Sequence, residues 1–310
     1  MTQASGLRIR EVGLRDGLQN IADFMPTAAK IAWINAEAAA GVREIEVCSF
    51  VPPKLIPQFS DAEAVVTHAL ALDALTSVAL IPNLKGAERG VALGVAKMVF
   101  VLSVSESHNQ ANVRRSTDES VADFGRIVAL RDAGPDVPRF VLSAALSTSF
   151  GCTYEGRVDE GRVVELASEM AARGADEIVL GDTVGFADPG HVRRLVRAVQ
   201  GAVAPVAVAC HFHDTRGLGL ANAFAAYEED VREFDASLGG LGGCPYAPKA
   251  TGNVVTEDLA FMFEAMGVAT GIDLDALVKV REIVAAALPN APLYGSLSRA
   301  GLPKGFTAAG

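Results

Sequence analysis

The residues able to do chemistry in this chain fall at the ends of short apolar runs. The sharpest group is Cys210-His211-Phe212-His213-Asp214, which closes the run Val206–Ala209. Side chains two apart on a strand point the same way, so His211 and His213 can both bind one ion while Phe212 faces the other side. Two satisfied polar histidines at a strand end would also fit the pattern. A second group, Glu11-Val12-Gly13-Leu14-Arg15-Asp16-Gly17, places two glycines around an Arg-Asp pair. The glycines allow a tight turn that presents both charges. Asp16 can offer an oxygen ligand and Arg15 can neutralise developing negative charge; a surface ion pair is the plainer alternative. In Glu44-Ile45-Glu46-Val47-Cys48, Glu46 lies nearer the strand end. It suits either an acceptor role at the site or a structural pair with Arg15. Leu238-Gly239-Gly240-Leu241-Gly242-Gly243-Cys244-Pro245 holds four glycines in five residues with a thiol beyond them. It is too short and too poor in lysine for a phosphate loop, and reads as a lid that brings Cys244 to a substrate as an acid/base group. Asn253 offers a neutral oxygen ligand, and Asp182 follows the apolar run ending at Leu180. Cys48 and Cys152 read as packing residues and Cys210 as a core residue of its strand.

Residues of this kind need a frame, and the chain supplies a regular one. Short β-rich runs alternate with longer amphipathic stretches throughout. The expected strands are 7–12, 43–47, 76–81, 97–103, 139–145, 177–180, 206–212 and 234–238. The expected helices are 27–40, 61–72, 85–94, 118–132, 160–173, 189–200, 218–229 and 257–266. Ser116 before Asp118 and Glu119, and Asp188 before Pro189, mark capped helix starts. Eight strand–helix units without a second compositional block predict an α/β fold, a (β/α)8 TIM barrel over residues 1–270. A doubly wound open sheet is the other arrangement. Residues 271–310 read as a short C-terminal helical extension packed on the barrel, with one helix at 274–287. In such a barrel the active site lies at the C-terminal ends of the strands, where the chemical groups above fall.

Composition sets outer bounds. Half of the 310 residues are hydrophobic, enough for a large core. With 27 basic and 37 acidic residues the net charge is −10, which argues against nucleic acid as a partner. No apolar run approaches the ~20 residues of a membrane span. A strand beginning at Leu7 leaves no room for a signal peptide, and four scattered cysteines do not suggest a disulfide framework. A cytoplasmic protein is expected, with neither nucleic-acid nor membrane partners.

Taken in order, EVGLRDGLQN, IEVCSFVPPK, LGDTVG, HFHDT, GLGGCPYA and TGNVVTEDL resemble the 3-hydroxy-3-methylglutaryl-CoA (HMG-CoA) lyase family, relatives of isopropylmalate, citramalate and homocitrate synthases. The resemblance runs from about Leu7 to Gly267. The RDG and HxH motifs mark the wider superfamily, whereas GLGGCPY points to the lyase branch. It implies a divalent metal, Mg²⁺ or Mn²⁺, on Asp16, His211, His213 and Asn253. It further implies that Arg15 stabilises an enolate, that Cys244 takes part in proton transfer, and that Glu46 and Asp182 act close to this centre. Gln19, within the first motif, and Arg216, where the family often has Tyr, are assigned to the substrate. The expected reaction is retro-Claisen cleavage of HMG-CoA to acetyl-CoA and acetoacetate, as in leucine degradation, by a homo-oligomer (dimer or tetramer). Val179 stands where a small polar residue is usual, so a longer 3-substituted glutaryl-CoA or citramalyl-CoA is an alternative acyl-CoA substrate. A Claisen-type synthase using a 2-oxo acid fits less well, since only about forty residues follow the barrel.

Overall fold

In a computed structural model, which describes residues 6–134, 137–242 and 252–309, eight parallel strands close into a barrel in sequence order. They are β1 (Arg8–Glu11), β2 (Glu44–Ser49), β3 (Thr76–Ile81), β4 (Lys97–Ser103), β5 (Val141–Ser147), β6 (Glu177–Asp182), β7 (Ala207–Phe212) and β8 (Glu233–Ala236). Pairing of Arg10 with Asp235 and of Glu11 with Ala236 shuts β8 against β1. The (β/α)8 expectation is met, and the open sheet is excluded.

The outer helices are α1 (Thr27–Ala39), α2 (Ala62–Leu70), α3 (Leu84–Leu93), α4 (Glu106–Val113), α5 (Thr117–Arg131) and α6 (Glu160–Arg173). The series continues with α7 (Pro189–Val203), α8 (Gly219–Glu228), α9 (Thr256–Ala265), α10 (Leu274–Ala287) and α11 (Leu297–Ala300). Both anticipated caps are present. Ser116 and Glu119 form a reciprocal capping box, and the Asp188 carboxylate accepts from the Gly190 and His191 amides. Trp33, Phe124 and Phe263 are fully buried in the apolar layer between helices and barrel. The segment after α9 joins that layer through Leu277, Val280 and Val284 of α10, and Asp273 N–H donates to Ala40 O at 2.8 Å.

The structure shifts several expected boundaries. β5 and β6 run two residues further than their apolar stretches, because ladders to β4 and β7 continue through Ser147 and Asp182. β8 stops at Ala236, and Leu238–Gly240 forms a 3₁₀ turn instead of strand. The turn after β1 is a π-helical turn at Gly13–Gly17, its Gly17 amide reaching back to Val12 O at 3.3 Å. α4 was not expected, since its sequence ESHNQANV has no apolar stripe. Its start is fixed by Ser105, whose hydroxyl accepts from the His108 amide.

Towards the N-terminal end of the barrel the interior is charged. Arg10 bonds Asp235 (2.7 Å), Glu177 (3.2 Å) and Glu44 (3.3 Å), while Lys97 reaches Glu44 (2.8 Å) and Glu177 (3.0 Å). With Glu233 3.7 Å from Lys97, these two cations answer four surrounding carboxylates among the described residues, Asp235 being the one that also reaches His211.

Candidate active site

β7 delivers the two histidines. His211 lies one residue before its end and His213 one residue beyond, and their Nε2 atoms are 3.1 Å apart. The π-helical turn after β1 brings the Asp16 carboxylate to 3.6 Å from His213 Nε2. Among the described residues, Asp16, His211 and His213 have ligand atoms all within 4.8 Å of one another, close enough for one metal ion.

His211 is aimed by Asp235. Its Nδ1 sits 3.0 Å from the Asp235 carboxylate, so Nδ1 carries the proton and Nε2 keeps its lone pair for a ligand. Burial alone would lower the His211 pKa, but the hydrogen bond and charge of Asp235 raise it. Burial would likewise raise Asp235, but Arg10 outweighs it and holds the carboxylate ionised. Sequence reading missed this pair. The signal available to it was a carboxylate inside the apolar strand FDASL, opposite a buried arginine on β1.

Asn253 is placed by backbone. It bridges His213, while Asp214 N–H donates to Gly252 O (3.1 Å) and Val254 N–H to Phe212 O (3.1 Å). Its Nδ2 donates to Asp16 Oδ2 (2.7 Å) and Leu241 O (2.9 Å), and its Oδ1 is buried without a partner. An orphaned amide oxygen beside two imidazole nitrogens and a carboxylate is a donor set that fits a divalent metal ion.

Arg15 spans two carboxylates, Glu46 through Nε (2.8 Å) and Asp16 through Nη1 (2.6 Å). Desolvation would lower its pKa, yet Glu46 and Asp16 raise it. Asp16 is opposed by burial but held far below the usual carboxylate range by Arg15 and the histidines. Glu46 is pushed up by burial despite Arg15, and its Oε1 is buried without a partner. Of the two roles open to Glu46 in the sequence, the structure shows the pair with Arg15.

A cavity of about 460 Å³ opens above this group, lined by Arg15, Asp16, Gln19, Glu46, His211 and His213 among others. Asp182 and Arg216 are not among its lining residues. The buried Asp182 carboxylate accepts from the Phe186 (2.7 Å) and Ala187 (3.2 Å) amides, shaping the loop after β6. Burial raises its pKa against those bonds. Arg216 holds the same loop from outside, donating to Val184 O (3.0 Å) and Gly185 O (2.7 Å) and stacking 4.7 Å over the Phe186 ring. Both side chains serve loop backbone whose polar groups need partners, which draws them away from the cavity. Cys244 lies outside the described residues. The chain leading towards it passes hard against the site: a Cβ on Gly242 (φ +115°) would lie 2.5 Å from Asn253 Nδ2. Cys48, Cys152 and Cys210 are buried and free, as their sequence settings predict.

Comparison with known proteins agrees with this geometry. The HMGL-like family model matches residues 6–284. The chain is 39% identical over 304 residues to the (R)-citramalyl-CoA lyase of Chloroflexus aurantiacus, covering 94% of each chain. It is 40% identical over 272 residues to the hydroxymethylglutaryl-CoA lyase YngG of Bacillus subtilis, covering 87% of this chain and 89% of that one. Among solved structures, an HMG-CoA lyase from A. baumannii in complex with coenzyme A and 3-methylmalate superposes with a TM-score of 0.91 at 42% identity, over 99% of both chains. With a closed barrel, a ligand triad at its C-terminal mouth and relatives matched along nearly their whole length, the chain belongs to the HMGL-like family of carbon–carbon lyases.

Proposed function

We propose that this enzyme cleaves a 3-hydroxyacyl-CoA of the 3-hydroxyglutaryl type between C2 and C3, with HMG-CoA yielding acetyl-CoA and acetoacetate. The observation that carries this reading is the cluster of Asp16, His211 and His213 beside the Arg15 guanidinium on one wall of one cavity, with Asn253 hydrogen-bonded to Asp16. Asp16, His211, His213 and Asn253 would hold Mg²⁺ or Mn²⁺, which when bound supplies Lewis acidity towards the substrate's hydroxyl and carboxylate oxygens.

The chain's own residues account for the charge. As the C2–C3 bond breaks, a base at the site takes the hydroxyl proton, C3–O becomes a carbonyl, and the bonding pair moves onto C2 and its thioester as an enolate. Arg15 lies where that charge develops, and Glu46 and Asp16 fix its orientation, so little reorganisation is needed. The enolate then takes one proton at C2, restoring the balance. Cys244 is assigned this transfer on the resemblance of its loop, and Gln19 a contact to the acyl-CoA at the cavity mouth. A citramalyl-CoA substrate is the second reading, favoured by the 39% identity to a lyase named for it.

The test is to incubate the protein with Mg²⁺ or Mn²⁺ and a panel of acyl-CoAs, reading products by mass spectrometry. Metal-dependent release of acetyl-CoA, lost in His211→Ala, is expected. Cleavage that persists in chelator, or in His211→Ala, would overturn the proposal.

A further inference from the structure

The cavity has two unlike halves. Its ionisable lining residues on the barrel come from the β1, β2, β7 and β8 side: Arg15, Asp16, Glu46, His211, His213 and Asp235. Among the described residues, β3 to β6 themselves contribute no ionisable side chain to the lining; Ser147 and Thr183 at the ends of β5 and β6, and His108 and Arg114 of the α4 segment, line it further towards the C-terminal ends of the strands. At the centre of that second half lies a row of three in-register residues, Val101 of β4, Ala145 of β5 and Val179 of β6. Val99, two residues before Val101 on β4, and its register partner Leu80 extend the apolar wall towards the barrel floor. Ala145 sits between two valines and stays partly accessible from the cavity, so the row has a recess at its middle.

The depth of this row decides what can enter it. Gly181 is the register partner of His211, and Val179 precedes Gly181 by two residues, a step of ~6.6 Å towards the barrel floor. A thioester chain leaving through the mouth, past Gln19 and the exposed Asn20, runs the other way. C3 of the substrate carries a hydroxyl, a carboxymethyl group, the thioester arm and one further substituent. The first two belong with the polar half and the third with the mouth. The fourth is left facing Val101, Ala145 and Val179.

We infer that Val101, Ala145 and Val179 form a recess for an alkyl substituent at C3 longer than methyl, so that the preferred substrate class is 3-hydroxy-3-alkylglutaryl-CoA. This rests on the lyase reading above and commits it to one side of the substrate. The bond broken is the same, and the products are acetyl-CoA and a 3-oxo acid that retains the alkyl group. Burying each added methylene against this wall strengthens binding in the transition state by a ~fourfold factor.

The experiment compares 3-hydroxy-3-methyl-, 3-propyl- and 3-pentylglutaryl-CoA with Mn²⁺ present, reading kcat/KM for each. A rise of ~fourfold per methylene is expected from methyl to propyl. Ala145→Phe fills the recess and should lower the pentyl-to-methyl ratio of kcat/KM by ~10-fold or more. Val179→Thr, which changes volume little while adding a hydroxyl, should lower that ratio in the same direction and stands in if Ala145→Phe folds poorly. A wild-type preference for the methyl compound, or variants that slow all three substrates equally, would overturn the recess while leaving the lyase reading intact. Failure to cleave any of the three would remove the 3-hydroxyglutaryl-CoA reading, and the recess with it.

Discussion

Arg15 and Asp235 show how single side chains divide the work of the site. Arg15 is pinned by two carboxylates and faces the cavity, so its guanidinium is available to an enolate without a change of rotamer. Arg15→Gln should lower kcat by ~100-fold or more, the scale of one lost oxyanion donor, with Mn²⁺ affinity changed little. Rapid-quench kinetics alongside calorimetry would check both; a large fall in Tm with normal kcat would mark Arg15 as structural. Asp235 touches no substrate in this scheme. It holds His211 at 3.0 Å and Arg10 at 2.7 Å, so it sets which imidazole nitrogen faces a metal. Asp235→Asn should weaken Mn²⁺ binding by ~10- to 100-fold, and calorimetry at fixed pH reads it directly. The HxH and RDG motifs made His211, His213 and Asp16 legible because ligand types recur at fixed spacing. Asp235 carried no such mark: its partners Arg10 and His211 lie more than twenty residues away in sequence and meet it only when β8 closes against β1 and β7.

At the scale of elements, the site depends on the segment from Ser237 to Thr256. Its described ends are laced to the tip of β7 and to one another, with Ser237 N–H on Val254 O (2.9 Å) and Thr256 N–H on Ser237 O (3.1 Å). Gly252 is the tightest point. A Cβ there would fall 1.7 Å from Gly240 O, which only a backbone displacement can relieve. Gly252→Ala should therefore cost ~1–3 kcal/mol of stability, the usual range for overpacking, and carry Asn253 off Asp16. Thermal melts should show a lowered Tm together with weaker Mn²⁺ binding; a normal affinity would mean that Asn253 does not depend on this crossing. The strand and helix pattern was readable from periodicity to within a few residues at most ends. α4 was not, because ESHNQANV lacks an apolar stripe and owes its form to the Ser105 cap and to Asn109, whose side chain accepts from Ser103 N–H and donates to Ser120.

The molecule as a whole buries far more charge than its sequence suggests. Besides the Arg10–Lys97 layer, Glu11, Glu37 and Glu257 lie buried around the root of the glycine-rich segment, where Arg281 pairs with Glu257 at 2.6 Å. Glu11 accepts from the Gly13 (2.7 Å) and Leu238 (2.9 Å) amides and from the Thr256 hydroxyl (2.6 Å). Burial nonetheless raises its pKa to about 8, and burial likewise raises Glu37 and Glu257. A carboxyl group raised on folding binds its proton more tightly in the native state. Its contribution is complete below the ordinary carboxylate range and is lost as pH climbs through about 8. Asp16 and Asp235, whose pKa values fall on folding, act in the opposite sense at the acid end. Wild-type Tm should therefore decline from pH 5 to pH 8.5, and Glu11→Gln should decline less over the same interval. Parallel declines in the two proteins would show that Glu11 is ionised throughout.

The sequence by itself determined the barrel and the ligand types, because hydrophobic periodicity and the HxH and RDG spacings are local properties that survive without knowledge of neighbours. It also fixed where along the chain chemistry would collect, at strand ends. Only the tertiary structure decided what each side chain does there. Asp182 and Arg216 look as reactive in sequence as Asp16 and Arg15, yet unpaired backbone in the loop after β6 draws both onto N–H and C=O groups. Asp235 and the Val101–Ala145–Val179 row acquire their roles from register between strands distant in the chain, and register is set by closure of the whole barrel.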